Sequence, residues 1–96
     1  MEKDLANLFK ALSDEHRLKM LQLLATGETC GCTLIEKLPI TQPTMSYHLR
    51  QLTDANVIIS NKEGIWKKHQ INIETIDEMI AFLTELKIGM ECCRHE

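Results

Sequence analysis

The sequence has no apolar run approaching the ~18 residues that a membrane-spanning helix requires, so none is expected. It has no internal repeat, no low-complexity segment and no linker long enough to divide it, and a single domain over 1–96 is expected. Met1-Glu2-Lys3-Asp4 lacks the basic-then-apolar layout of a secretion signal, which implies a cytoplasmic protein. There is no glycine-rich phosphate loop and no Ser/His/Asp arrangement. A thiol enzyme closing an oxyanion loop on an arginine is also excluded, because Cys-Thr-Leu-Ile-Glu-Lys-Leu at 32–38 offers an acid and no arginine. No enzymatic activity is expected.

What is present is small and ordinary in bulk. The charged fraction is 26% and the apolar fraction 44%, the balance of a globular domain. A chain of 96 residues buries only about 60–65% of the surface its unfolded form exposes, so association is a natural supplement to its stability. The net charge of -3 argues at first against nucleic acid, but its distribution does not. Residues 1–40 sum to -1 and 71–96 to -4, whereas 41–70 sum to +2 through Arg50, Lys62, Lys67 and Lys68 against Asp54 and Glu63. A basic middle third is what a local DNA-facing surface requires.

Periodicity predicts the elements. Leu5, Leu8, Phe9 and Leu12 recur at helical spacing and give a first helix. Ser13 is the expected cap of a second, with Asp14 and Glu15 where the helix dipole favours acids, Leu18, Leu21 and Leu24 as its stripe with Met20 beside it, and Gly27 as its stop. A short third helix, about Cys30 to Lys37, turns Leu34 and Ile35 inward and ends before Pro39. Thr41 caps a fourth, with Pro43 tolerated in its first turn and Met45, Leu49 and Leu52 buried. Asn56 to Ser60 reads as a strand, Asn61-Lys62-Glu63-Gly64 as a turn and Ile65 to Ile73 as a second strand. A last helix, about Glu74 to Met90, aligns Ile76, Met79, Ile80, Leu83, Leu86 and Met90. The expected class is α+β, mainly α: a winged helix-turn-helix of four helices, a two-stranded hairpin wing and a C-terminal helix, with the helix-turn-helix over 30–54 and the wing over 56–73.

Once Met45, Leu49 and Leu52 point inward, the fourth helix presents Tyr47 and Arg50 outward, flanked by Ser46. Gln42 and Thr44 fall in its first turn, the part that meets base edges in a major groove. Glutamine pairs bidentately with adenine, hydroxyls serve bases or phosphates, and Arg50 suits a phosphate. His48 lies nearer the buried side and completes the candidate set. Lys62 at the wing tip, with Lys67 and Lys68 on its second strand, is expected at the minor groove or backbone.

The four cysteines are read as ligands or reactive thiols, since a cytoplasmic chain seldom keeps structural disulfides. Cys30-Gly31-Cys32 opens the third helix, and its thiolates suit soft thiophiles such as trivalent arsenic, cadmium, lead or zinc. Residues two apart on a helix point about 200° from one another, so both sulfurs grip one ion only where that turn is distorted. Gly31 makes the distortion cheap. Binding would then disturb the support of the reading helix. Trivalent arsenic favours three sulfurs, and Cys92 or Cys93 of the 91–96 tail is a candidate third, from the same or a partner subunit. No cofactor is expected for folding. A response of the same cysteines to cadmium, lead or zinc, or to oxidants or sulfur species, on the same scaffold is the alternative.

Several segments together resemble the ArsR/SmtB family of metalloregulatory repressors, and most of all its arsenical-resistance members. They are Leu12-Ser13-Asp14 through Arg17-Leu18, Gly27 to Cys32, Thr41-Gln42-Pro43-Thr44-Met45-Ser46-Tyr47-His48-Leu49, Asp54 to Ile58, and Lys62 to Trp66. The resemblance runs from about Leu5 to Ile73. It implies a homodimer, joined through helices 1–12 and 74–90, on an inverted repeat of operator DNA. It further implies release by As(III) or Sb(III) at Cys30 and Cys32. The last helix lacks the histidine of zinc-sensing relatives, and no cysteine precedes Cys30, as cadmium and lead sensors would require.

Overall fold

The computed structural model describes residues 2–27, 34, 36–64 and 66–93. Helix α1 (Glu2–Leu12) buries Leu8 and Ala11 and packs Leu5, Phe9 and Leu12 around them, as its spacing requires. The next cap differs from expectation. Ser13 spends its hydroxyl on the Lys10 carbonyl at 2.6 Å, and Asp14 caps α2 (Glu15–Ala25) instead. Its Oδ1 accepts from the amides of His16 at 2.8 Å and Arg17 at 3.1 Å. A carboxylate serves better here because its full charge also meets the positive end of the helix dipole.

The buried stripe of α2 is rotated from the expected one. Met20 and Leu24, four apart, enter the core, while Leu18 is 48% exposed. Leu18 sits about 200° round the helix from Met20, so both cannot face inward. Gly27 ends the helix as expected, at φ 101° with its amide on the Leu24 carbonyl at 3.1 Å. A side chain there would be strained.

Most of the expected third helix, with Cys30, Cys32 and Ile35, lies outside the described residues. Leu34, Glu36 and Lys37 are helical, Leu34 and Leu38 are buried, and the chain bends away at 38–40 around Pro39. Helix α3 (Gln42–Asp54) follows. Thr41 is its N-cap residue without a side-chain cap bond, and its hydroxyl donates to Thr44 Oγ1 at 3.0 Å. At the other end, Asn56 adopts φ 62° rather than beginning a strand. Its amide reaches the Thr53 carbonyl at 3.0 Å and that of Val57 the Leu52 carbonyl at 2.9 Å. That pairing is a Schellman ending, in which asparagine is the usual substitute for glycine.

The hairpin is tighter at its tip than expected. Strand β1 (Ile58–Glu63) pairs antiparallel with β2 (Trp66–Ile71), leaving two residues between them, so Asn61, Lys62 and Glu63 belong to the ladder. Ile58 faces Ile71, Ser60 faces His69 and Lys62 faces Lys67. Helix α4 (Ile73–Cys93) begins one residue earlier and ends three later than expected, and so takes Cys92 and Cys93 into its last turn. Its aligned apolar residues divide: Met79 is buried and Ile76 half-buried, whereas Ile80, Leu83, Leu86 and Met90 are exposed, and Phe82, outside that stripe, meets Phe9 at 6.0 Å between ring centroids.

The core is one cluster beneath α2 and α3, in which Met20, Leu34, Leu52, Val57 and Ile58 are fully buried. Each such side chain contributes about 1.5–3 kcal/mol from burial. Helix α4 extends past this core, giving extents of 58 × 26 × 24 Å and a radius of gyration of 15.9 Å. A compact domain of this length has a radius of gyration of about 12–13 Å.

Candidate nucleic-acid interface

The exposed side of α3 carries Gln42, Thr44, Ser46, Tyr47 and Arg50 together. Thr41 gives no side-chain cap and Pro43 has no N–H, so the amides of Gln42 and Thr44 are those left at the positive end of the helix, where a phosphate oxygen is favoured. Tyr47 is 55% exposed and sets its ring edge-on to His48, with centroids 5.4 Å apart. His48 differs from its neighbours. It is 6% exposed and faces the protein.

The surroundings of His48 explain how α3 is held. Arg17 reaches His48 Nδ1 through its NH1 at 3.1 Å and the Ala11 carbonyl through its Nε at 2.7 Å. A guanidinium only donates, so Nδ1 accepts and the neutral ring carries its hydrogen on Nε2. That hydrogen lies toward Asp14 Oδ1, 3.9 Å away. One arginine thereby joins the end of α1, the start of α2 and the middle of α3. Burial lowers the His48 pKa, and the charges of Arg17 and His16 act in the same sense against the opposing pull of Asp14. Asp14 is itself raised by burial, but the Arg17 amide, the charge of His48, the His16 amide and the Arg17 charge together bring it below its usual value. Near neutrality the His48 ring is uncharged, so the amides and Arg17 carry that stabilisation.

A second polar relay joins α3 to the wing. Thr53 donates its hydroxyl to the Leu49 carbonyl at 2.8 Å and lies 3.4 Å from Ser60 Oγ, which is 2.7 Å from His69 Nδ1. All the hydrogens are used when His69 donates to Ser60 and Ser60 to Thr53. His69 is buried, which lowers its pKa, and the Lys67 ammonium lowers it further.

Register sorts the wing lysines. Side chains alternate along a strand, so Lys62 and Lys67 share a face with Ile58, Ser60, His69 and Ile71, the side turned to α3, while Lys68 belongs to the opposite one. Burial falls along that first face toward the tip, where both lysines are exposed. Two like charges directly opposed across a ladder repel, and an anion beside them relieves the cost. Of the expected cysteine ligands, Cys30 and Cys32 lie outside the described residues, Cys92 is exposed and Cys93 is the last residue of α4. Asp14, Arg17, Thr53, Ser60 and His69 were not anticipated as supports of the reading helix and wing. Of these, only Asp14 and Arg17 fall inside a segment that resembles the ArsR/SmtB family.

A polar-faced helix standing behind a buried core, flanked by a two-stranded hairpin, defines a winged helix-turn-helix DNA-binding regulator. Residues 14–60 match the model of the arsR family of bacterial regulatory proteins. The chain is 35% identical over 91 residues to the arsenical resistance operon repressor of Staphylococcus aureus, covering 95% of this chain and 88% of that one. An ArsR-like transcriptional regulator from Rhodococcus sp. RHA1 superposes with a TM-score of 0.82 at 26% identity, over 98% of this chain and 87% of that chain. A homodimeric winged helix-turn-helix DNA-binding domain from Mycobacterium bovis, described as a possible ArsR-family regulator, superposes at 0.72 with 25% identity, covering 88% and 79%. The chain belongs to the arsR family, a family of transcriptional regulators and not of enzymes. Among the described residues, no helix is long and apolar enough to cross a membrane.

Proposed function

We propose that the chain is a cytoplasmic, homodimeric repressor of an arsenical-resistance operon, released from its operator when As(III) or Sb(III) binds the thiolates of Cys30 and Cys32. The observation that carries this reading is the likeness, along nearly the whole chain, to a repressor of that name, in a sequence with Cys30-Gly31-Cys32 between α2 and α3. In this reading Gln42, Thr44, Ser46 and Tyr47 read the major groove of an inverted repeat. Arg50, Lys62 and Lys67 hold phosphates, and Lys68, on the other face of the wing, adds only its long-range charge. His48, buried behind Tyr47, positions the helix and does not touch DNA.

Coupling follows from the chain order. Leu34 and Leu38 are buried beneath α3 and lie two and six residues beyond Cys32. Drawing two sulfurs onto one ion strains the backbone just ahead of these anchors, and the strain is relieved when α3 shifts. Cys92 or Cys93, in the last turn of α4, supplies the third sulfur. The uncovered apolar side of α4, with the groove beside α1 that Leu5, Ala81 and Phe82 floor and Asp4, Glu78 and Glu85 rim, is the dimer face.

The test is an operator-binding titration with arsenite, antimonite, cadmium, zinc and peroxide. Arsenite and antimonite are expected to release the native chain, and Cys30→Ser or Cys32→Ser to abolish release while operator affinity stays within about twofold, a difference of about 0.4 kcal/mol. Release by cadmium alone or by peroxide alone overturns the arsenic assignment.

A further inference from the structure

We propose that Asp14, His16 and His48 form a second metal site, for one borderline divalent cation such as Zn2+, at the junction of α2 and the reading helix. One ligand atom from each lies within 4.8 Å of the other two. Two imidazoles and a carboxylate are donors for zinc, nickel or cobalt and poor ones for trivalent arsenic, so this site differs in chemistry from the thiolates.

The geometry needs little change. Bonds of about 2.0–2.2 Å to a tetrahedral ion set ligand atoms about 3.3–3.5 Å apart. His48 Nε2 and Asp14 Oδ1 are already 3.9 Å apart, and the His16 and His48 ring centroids are separated by 5.7 Å. His48 is held by the core and Asp14 by its bonds to the His16 and Arg17 amides, so the half-buried His16 side chain makes most of the approach. Water takes the fourth position, as in an open zinc site.

Binding involves a defined proton shift. The Nε2 hydrogen of His48 moves to Nδ1, the ion takes the vacated Nε2 lone pair, and no net proton is lost from the ring. The new Nδ1–H then faces Arg17 NH1, a donor against a donor, so the guanidinium must release the ring. A ligating histidine normally gives its second N–H to an acceptor. Lacking one here, the site binds more weakly than a fully supported one, and the ion and the Arg17–His48 contact exclude each other.

Zn2+ titration of the full chain carrying Cys30→Ser, Cys32→Ser, Cys92→Ser and Cys93→Ser, followed by calorimetry and imidazole NMR, tests this. One ion per chain is expected, with the His16 and His48 ring signals and the Arg17 side-chain signal moving together. Asp14→Asn, which keeps the N-cap, and His16→Ala should each weaken binding at least tenfold with unchanged circular dichroism. No uptake, or equal affinity in both variants, overturns the proposal. Where the serine chain fails to fold, Co2+ added to the native chain decides. Weak ligand-field bands that diminish in His16→Ala support the site, and thiolate charge-transfer bands alone overturn it.

Discussion

Helices α3 and α4 are both amphipathic by spacing, yet they use their apolar sides differently. In α3 the stripe is covered: Met45 and Leu52 are buried, Leu49 packs beside them, and what faces water is polar. In α4 only one edge is covered, through Thr75, Met79 and Phe82, and Ile80, Leu83, Leu86 and Met90 stand more than half exposed. A face that has found its core leaves its polar side for a polar partner. A contiguous apolar face without a cover marks a protein contact. The same periodicity thus encodes a DNA-facing helix in one place and a chain-facing helix in the other.

The largest effect is expected where that contrast is removed. Leu83→Glu with Leu86→Glu charges the uncovered side of α4 without touching the core. The chain should remain helical but sediment as a monomer, and operator affinity should fall at least about 100-fold, or about 2.7 kcal/mol, because two half-sites are no longer held together. Sedimentation and operator titration measure both quantities. A double variant that stays dimeric would place the interface elsewhere.

Much of this architecture was legible in the sequence because it rests on spacing. The apolar stripes of α1 and α3, the Gly27 stop and the helix-breaking Pro39 follow from local rules. Departures arise where two residues compete for one role. Ser13 and Asp14 both suit a cap, and the carboxylate prevails once the serine hydroxyl turns to Lys10. Asn56 reads as extended in a β-rich stretch, yet the helix ending before it needs a left-handed residue. The polar supports were the least legible. Arg17 and His48 are 31 residues apart, and the Thr53–Ser60–His69 relay exists only after the hairpin has folded back on α3. No local pattern announces either. The face shared by Lys62 and Lys67 likewise needed the register, which a tip two residues shorter than the expected turn has shifted.

An intermediate effect is expected from that relay on acidification. His69 is buried, and its folded pKa is depressed below 6.5 by burial and by Lys67. The unfolded chain therefore takes up a proton first. Stability from the neutral ring is full above pH 6.5 and is lost as pH falls from there through the folded value. Within that window the slope is up to about 1.4 kcal/mol per pH unit. His69→Gln, which cannot titrate, should remove one proton's worth of this slope. Denaturant unfolding of both chains at a series of pH values from 7.5 downward measures it. Equal slopes would mean that the wing is not anchored through an uncharged His69.

The smallest effect separates lysines that sequence alone treats alike. Lys62 and Lys67 oppose each other on the face turned to α3, and Lys68 belongs to the other face. If the first pair holds phosphate, each loses one counterion-release contribution when neutralised. Lys67→Ala should then reduce the magnitude of the slope of log affinity against log salt by about 0.9 for each half-site. Lys68→Ala should leave the slope nearly unchanged while affinity drifts only through the long-range field. Operator titrations at three or four salt concentrations resolve the two. Equal slope changes would show that the wing lies edge-on to the duplex, with both faces against the backbone and neither of them idle.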